Sequence, residues 1–501
     1  MSHMSHPRWL RAAVLVLACA LPALQVRAQL PTLGDTSEMN TGAERTLGEQ
    51  IARELYRDPD YMDDPVLDEY VLGIWTRLLD AARTRGELTA ELDDRFAWRV
   101  MLGKDRTINA FALPGGWMGL HLGLISVTAT RDELAAVLGH ELSHVTQRHI
   151  SRLMTQQNRQ APWLVAAMIL GALAMSKSPD AGNAMVAGGQ ALAMQNQLNF
   201  SREMEREADR VGFGVMTQAG FDPRGSVNMF EKLQQASRLN DSGSFPYLRT
   251  HPMNTERMAD MQARQQLVPR GAAPPPDLVH AMMVGRARAL SNPGVDVLRG
   301  YVTDADSLQP SAAPPRLVSA LYAAALASSK LRDPAAAARY AQRLAGVTAG
   351  DAPAARQSVL LAAELALQAG DTSKAAVLAQ TSASARPELM LSSQARIASG
   401  RAGEAAQALQ TWVALHPQDA QAWQILASAY TAQGQALRAI RAEAEAQVAR
   451  LDLSAALDRF KAAQELARRA GPGRGDHIEA SIVDTRTRQV ESLLREQALK
   501  R

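Results

Sequence analysis

The sequence predicts a mostly α-helical protein in which an α+β domain is followed by a solenoid of stacked helix pairs. Aromatic residues make up only 5% of the 501 residues while alanine is abundant, which favours closely packed helices over a β-sandwich. The sequence of 278–498 is typical of helix almost throughout and is rich in Ala, Leu, Gln, Arg and Glu. A chain of this length exceeds one ordinary core, so we expect several domains.

The chain begins with the pattern of a cleavable secretory signal, which we place at 1–28. Arg8 and Arg11 precede an uncharged apolar run at 12–24, and small residues follow at the expected cleavage position. The run is shorter than the about 20 apolar residues that a membrane-spanning helix needs. Cys19, the only cysteine, lies within this signal, and processing there instead would leave a lipid on it. We expect export, with the periplasm as the location.

The charge balance gives no reason to expect a nucleic-acid partner. The chain has 54 Lys and Arg against 51 Asp and Glu, and the signal accounts for three arginines and no acidic residue. The mature chain is therefore balanced, with 51 basic and 51 acidic residues. A nucleic-acid-binding domain usually carries a clear basic surplus.

A proline-rich segment divides the mature chain. Three successive prolines, Pro274–Pro276, cannot continue a helix, so we place a linker at 266–277. It separates a first domain at 29–265 from a helical domain at 278–498. We expect these two domains to have separate hydrophobic cores.

An uncharged apolar run lies at 161–175 in the first domain. It is too short to span a bilayer by itself. Together with the glycine-rich stretch that continues to Gly189, it is open to two interpretations. It forms either a hairpin or lid that makes a peripheral contact with a membrane or a partner, or a buried core helix.

The segment from Arg131 to Leu153 predicts one continuous helix that carries His140, Glu141 and His144. At about 100° per residue the two histidines lie on one side of this helix, with Glu141 at the edge of their face. Two imidazoles one turn apart can reach one cation, and the neighbouring carboxylate can reach a water on it. This spacing is typical of zinc hydrolases, so we assign both histidines as metal ligands and Glu141 as the general base. A surface helix with unrelated histidines is the alternative.

Zinc needs a third protein ligand, and His149 is the nearest further histidine. On a continuous helix, its side chain lies about 140° from that of His144 and points into the apolar stripe. No glycine between the two histidines breaks the helix. We therefore interpret His149 as a structural residue.

A second predicted helix supplies a better third ligand. Glu205 and Asp209 are four residues apart and share one helical face, while Glu203 and Glu207 point elsewhere. We assign Glu205 as the third ligand. Asp209 can accept a hydrogen bond from the ring of a ligating histidine and so fix its tautomer. The alternative is a solvated, charged helix.

The His-Glu-x-x-His motif at 140–144 and the Glu-x-x-Ala-Asp motif at 205–209 together resemble a known family. This family is the gluzincin zinc metallopeptidases that include the CaaX prenyl proteases and the heat-shock protease HtpX. Two further stretches agree with the resemblance. Residues 109–116 match the edge strand and turn before the zinc helix, and 251–257 match a downstream His-Pro and arginine pair.

The resemblance implies an α+β gluzincin domain with one Zn²⁺ per chain and endopeptidase activity. It implies that His251 and Arg257 are the candidates that stabilise the oxyanion, with a fourth zinc ligand in a resting state as the alternative role of His251. It also implies that an edge strand binds extended chains by adding them as a further strand. Gly119 and His121 interrupt the β-branched alternation expected in the following strand, so the substrate that is selected stays open. The residues of the edge strand are Asn109, Ala110, Phe111, Ala112 and Leu113.

The helical domain contains a weak internal repeat. Gly400 and Gly434 are 34 residues apart, and Trp423, Leu426 and Tyr430 occupy the large positions of a helix between them. This spacing resembles a tetratricopeptide repeat. Such helix pairs stack because none of them can bury its apolar face alone. An irregular helical bundle is the alternative.

A secreted peptidase with such repeats resembles the periplasmic members of this family in Gram-negative bacteria. The resemblance implies cleavage of unfolded or misassembled outer-membrane proteins, a chaperone-like role, and contact with the outer-membrane barrel assembly machinery. The alternative function is a non-proteolytic adaptor or chaperone, whose repeats hold clients while the zinc site is silent or structural. The presence of Glu141 favours the interpretation as an enzyme, because a structural zinc site needs no general base.

Overall fold

The computed structural model describes residues 39–156, 201–238, 246–268, 275–379, 385–470 and 476–499. Helices predominate beside one small sheet, which confirms the predicted mostly α fold class. The signal at 1–28 with Cys19 and the apolar stretch 161–189 lie outside the described residues. Within the described ranges, no helix has the length and apolar character that crossing a membrane requires.

The part of the chain before the proline-rich segment combines four short strands with helices. The helices that carry the predicted site residues begin at side-chain caps: Thr130, Ser201 and Asn254 each accept a hydrogen bond from a backbone N–H of the first turn. In chain order the elements are α1 (Thr41–Arg57), β1 (Tyr61–Met62), α2 (Pro65–Thr84), α3 (Ala90–Arg95), β2 (Arg99–Gly103), β3 (Ala110–Leu113), β4 (Trp117–His121), α4 (Leu122–Val127), α5 (Arg131–Thr146), α6 (His149–Gln156), α7 (Arg202–Gln218), α8 (Arg224–Arg238), α9 (Tyr247–Thr250) and α10 (Thr255–Leu267).

The sheet has the strand order β1-β2-β4-β3, so β3 lies at an edge, as the resemblance implied. Strand β3 is antiparallel to β4, and Phe111 lies opposite Gly119. A Cβ at Gly119 would overlap the Phe111 ring, so the glycine makes room for this aromatic side chain. This packing explains why β4 departs from the β-branched pattern that we expected.

The predicted continuous helix at 131–153 is two helices, so that prediction was wrong. Helix α5 ends at Thr146 and α6 begins at His149. Between them, Arg148 has a φ of 52°, in the left-handed region. Its Nε lies 3.0 Å from the carboxylate of the buried Glu44, which holds the chain in this turn. The break changes the direction in which His149 points.

Beyond the proline-rich segment the described chain is helical. From α12 to α22 each helix packs against the next along the chain. Gly370, Gly400 and Gly434 follow helix ends with φ between 71° and 82°, a conformation that glycine adopts without strain. The elements are α11 (Leu278–Leu290), α12 (Val295–Ser307), α13 (Pro314–Lys330), α14 (Pro334–Thr348), α15 (Ala352–Gln368), α16 (Thr372–Leu378), α17 (Arg386–Ala398), α18 (Ala402–Leu415), α19 (Ala420–Ala432), α20 (Ala436–Ala449), α21 (Leu453–Ala470) and α22 (His477–Leu499).

One buried hydrophobic cluster continues from the first region into the helical region. It contains Trp75 and Leu134 from the first region together with Met282, Tyr322 and Leu361 from the second. Helix α11 packs against α4 across this boundary. The two regions therefore share one core, where the proline-rich segment led us to expect two.

Three arginines of the helical region, which we call the arginine bridges, connect it to the start of α2. Arg286 contacts Asp64 at 2.5 Å and Glu364 at 2.7 Å, so it joins the two regions through buried charges. Arg356 and Arg386 also connect the two regions, through ion pairs that are partly exposed. Their carboxylate partners are Glu69 and Glu388 for Arg356, and Asp63, Asp68 and Asp419 for Arg386.

We expect Arg286→Ala to lower the free energy of unfolding by about 3–5 kcal/mol, because removing one partner leaves buried carboxylates unpaired. Urea unfolding of the full chain, followed by circular dichroism, measures this change. Arg299→Ala is the matched control, since Arg299 forms an ion pair with Asp296 on the exposed surface. The control should change stability by less than about 0.5 kcal/mol. Equal effects of the two substitutions would contradict a stabilising role for the bridge.

Candidate metal centre

Helices α5 and α7 cross closely and bring the predicted ligands together. Gly139 on α5 faces Gly212 on α7, and a Cβ at Gly212 would lie 2.9 Å from the Gly139 carbonyl oxygen. A side chain at Gly212 would push the two helices apart. The short α9 and the start of α10 approach the same place and contribute His251 and Arg257.

Four buried side chains form one cluster: His140, His144, Glu205 and His251. Each offers one ligand atom, and these atoms lie within 4.8 Å of one another. Nε2 of His140 is 3.0 Å from Nε2 of His144, and Nε2 of His144 is 3.4 Å from Oε1 of Glu205. The three predicted ligands are thus adjacent. His251 joins them, with its Nδ1 at 2.9 Å from Oε1 of Glu205.

Glu141 lies between this cluster and the edge strand. Its Oε2 accepts a hydrogen bond of 2.9 Å from the backbone N–H of Ala112 in β3. Its Oε1 lies 3.5 Å from Nε2 of His251. The carboxylate therefore faces both the candidate ligands and the strand predicted to bind substrate.

Strand β3 presents the predicted substrate-binding residues at the edge of the sheet. Ala110 and Ala112 are buried in the core that includes α5, and Phe111 packs on the other face against Gly119. Asn109 precedes the strand and is buried, with its carbonyl oxygen accepting a hydrogen bond from the N–H of His121. The strand is thus connected to the ligand cluster through the hydrogen bond from Ala112 to Glu141.

Asp209 and Arg257 lie behind the cluster. Oδ1 of Asp209 is 2.9 Å from Nδ1 of His140, as expected for a residue that fixes the histidine tautomer. Arg257 donates to both oxygens of Asp209 and lies 2.7 Å from Oε2 of Glu205. Its guanidinium is therefore engaged by two carboxylates. This position differs from that of the oxyanion donor that the resemblance implied and suits a residue that holds the ligands in place.

The electrostatics of the site fit a divalent cation. Glu141, Glu205 and Asp209 are buried carboxylates, whereas Arg257 is the one buried guanidinium that contacts them among the described residues. With the histidines counted as neutral, the form in which they bind a metal, this leaves a formal charge of −2. Burial lowers the pKa of His140, but its contacts with Asp209 and Glu205 outweigh that effect and raise the pKa to about 10. Two imidazoles and a carboxylate in such a site are a usual zinc ligand set.

His149 lies outside the ligand cluster, as predicted, but for a different reason. It is fully buried, and its Nδ1 is 2.9 Å from Nδ1 of His144. Its Nε2 is 3.0 Å from Oε2 of Glu207. Sequence reasoning missed these contacts because it assumed a continuous helix, and the turn at Arg148 brings the ring back towards His144.

Comparisons with known proteins agree with this geometry. Residues 73–265 match the family model of Peptidase family M48, which confirms the family resemblance. The Beta-barrel assembly-enhancing protease of Escherichia coli (strain K12) is 32% identical over 255 residues, which are 50% of each chain. The protein of the same name from Yersinia pestis is 34% identical over 257 residues, 51% of each chain.

A further relative is matched over a shorter length of the chain. The Mitochondrial metalloendopeptidase OMA1 of Arabidopsis thaliana is 30% identical over 195 residues, which are 39% of this chain and 36% of that protein. The chain spans about half the length of the two bacterial relatives. All the candidate metal-binding and catalytic side chains lie within the segment that matches the family.

Proposed function

Because residues 73–265 match the model of peptidase family M48, we propose that the protein is a zinc endopeptidase of the bacterial envelope that cleaves unfolded or misassembled outer-membrane proteins. One observation carries the proposal. The buried cluster of His140, His144 and Glu205 lies beside a carboxylate, Glu141, that also contacts the edge strand. A purely structural metal site needs no such carboxylate.

In this proposal His140, His144 and Glu205 hold one Zn²⁺. Bound zinc supplies Lewis acidity, which activates water and polarises the scissile carbonyl. Glu141 takes a proton from the attacking water and delivers it to the leaving amine. Its Oε1 has no hydrogen-bond partner among the described residues, so this atom is available to accept the proton.

His251 is the proposed oxyanion donor. Its Nε2 lies 3.5 Å from Oε1 of Glu141, and this closeness to the proposed general base supports a role beside the reacting carbonyl. Asp209 and Arg257 act behind the ligands. Asp209 orients His140, and Arg257 balances the charge of the carboxylates that it contacts.

The edge position of β3 supports a preference for extended chains. A substrate segment can add to the sheet next to β3 and pair through its backbone. Backbone pairing selects little by sequence, so unfolded proteins are suitable substrates. The relatives' names refer to β-barrel assembly, which supports envelope clients and the outer-membrane barrel assembly machinery as a partner. The secretory signal predicted at 1–28 supports a periplasmic location after export.

Proteolysis of an unfolded outer-membrane protein tests the proposed function. The purified full chain should cleave this substrate, lose the activity in a zinc chelator, and regain it when Zn²⁺ is restored. A folded, soluble protein is the control substrate and should be cleaved slowly. A zinc-loaded protein that holds the unfolded chain without cleaving it would favour the alternative of a non-proteolytic chaperone or adaptor.

The helical region at 278–498 is the proposed site of partner selection. Trp423 is buried in its core, where the indole N–H donates to the Pro417 carbonyl oxygen at 3.0 Å. We expect Trp423→Ala to disturb the tetratricopeptide-like packing and weaken capture of envelope proteins, while cleavage of a short peptide stays nearly unchanged. Val377→Ala, at an exposed position of α16, is the control for both measurements. Equal loss of peptide cleavage and capture would contradict this division of labour.

A further inference from the structure

We propose that His149 and Glu207 form a second positioning pair of the metal centre, which fixes the tautomer and the ring orientation of His144. This inference rests on the proposed function, because it supposes that His144 binds the metal. Three contacts that connect one residue to the next support this proposal. The Nδ1 atoms of His144 and His149 are 2.9 Å apart, Nε2 of His149 is 3.0 Å from Glu207, and Glu207 accepts from Arg152 at 2.8 Å.

The atoms themselves set the direction of each hydrogen bond. His144 presents Nε2 to the ligand cluster, 3.0 Å from Nε2 of His140. A neutral imidazole that binds a metal through Nε2 carries its proton on Nδ1. That proton points at Nδ1 of His149, which must accept it. His149 then carries its own proton on Nε2 and donates it to Glu207.

The arrangement gives each candidate ligand histidine a partner on its outer nitrogen. His140 has the carboxylate of Asp209 at 2.9 Å, whereas His144 has a neutral imidazole that connects it to a carboxylate. Outer partners of this kind fix the ring of a ligating histidine and keep the ligand nitrogen available. The neutral intermediary adds no further charge to a site that already contains three buried carboxylates.

The backbone conformation at Arg148 allows the contact between His149 and His144. On a continuous helix His149 would point away from His144, but a turn with Arg148 in the left-handed conformation separates the two helices. Arg148 is held in this conformation by its ion pair with Glu44 on α1. The strained turn thus places an imidazole against a ligand histidine. This placement favours a positioning role over simple filling of the core.

Zinc affinity of the full chain tests the proposal without reference to activity. Competition with a chelator gives the dissociation constant for Zn²⁺, and visible absorption of the Co²⁺-substituted protein reports the ligand geometry. We expect His149→Leu to weaken zinc binding by about 10–100-fold, the usual range for residues behind a ligand. His149→Asn should recover most of the affinity, because its side-chain oxygen can accept at the position of Nδ1.

Two controls separate positioning from packing. His280 is another buried histidine, with ring nitrogens that contact the Tyr70 hydroxyl and the Thr128 carbonyl oxygen, outside the cluster. His280→Leu should lower stability and leave zinc affinity unchanged. Should His149→Leu fail to fold, Glu207→Ala replaces it as the test, with Glu203→Ala at an exposed position of the same helix as its control.

Each outcome bears on a defined hypothesis. If the wild-type chain binds no zinc, the proposed function fails and not merely the positioning pair. If the wild type binds zinc and His149→Leu binds it equally well, the positioning pair is wrong. Equal losses of affinity in His149→Leu and His280→Leu, or in His149→Leu and His149→Asn, would also overturn it, because they would show an effect of packing alone.

Discussion

Glu141→Gln is expected to retain zinc and to reduce peptide turnover by at least about 100-fold, the lower range of acid–base contributions. The substitution keeps the volume of the side chain and an oxygen that can still accept from the Ala112 N–H. It removes the carboxylate that would take and return the proton. Zinc content and cleavage of a short peptide, measured on one sample, check both parts of this expectation.

The same chemical change elsewhere on the helix provides the control. Glu133 is buried on α5, but it contacts Lys232 and the N–H of Ala129 at a distance from the ligand cluster. Glu133→Gln should therefore leave turnover close to that of the wild type once the protein is folded. Wild-type turnover in Glu141→Gln would exclude Glu141 as the general base.

Glu205→Gln is expected to weaken zinc binding by more than about 100-fold, beyond the 10–100-fold typical of residues behind the ligands. Glu205 contributes a ligand atom within the cluster. The amide oxygen of glutamine binds zinc more weakly than a carboxylate oxygen does. Asp209→Asn should fall within that milder range, since Asp209 contacts His140 from behind. Chelator competition measures both variants against the wild type.

Glu203→Gln is the matched control for Glu205→Gln. It makes the same substitution two residues earlier on α7, at an exposed position. Its zinc affinity should equal that of the wild type. Unchanged affinity in Glu205→Gln would mean that the third ligand lies elsewhere, and the assignment would then have to be reversed.

Local periodicity explains why the sequence was informative about the site. The spacing of His140 and His144 puts both on one helical face, and the same spacing pairs Glu205 with Asp209. The family motifs then indicated that these two faces meet. The close approach of α5 and α7 depends on Gly139 and Gly212. The role of these glycines is visible only when the two helices are packed together.

Long-range contacts explain what the sequence could not predict. The end of α5 depends on an ion pair between Arg148 and Glu44, which are far apart in the chain, so the local pattern favoured one helix. Because a continuous helix was assumed, the contact between His149 and His144 was not predicted. The guanidinium of Arg257 was likewise expected near the reacting carbonyl, but two carboxylates engage it. The fold class was predictable because composition and repeat spacing are distributed over the whole chain.

The arginine bridges also affect how the protein unfolds. Unfolding of the helical array would take Arg286 away from Asp64 and leave that carboxylate buried without a counterion. Loss of either region therefore raises the free energy of the other, in addition to exposing their shared core. We therefore expect the part of the helical region that shares this core to unfold together with the first region. The helices that pack directly on the first region would then stabilise it, whereas Trp423 lies in a separate cluster of the helical region.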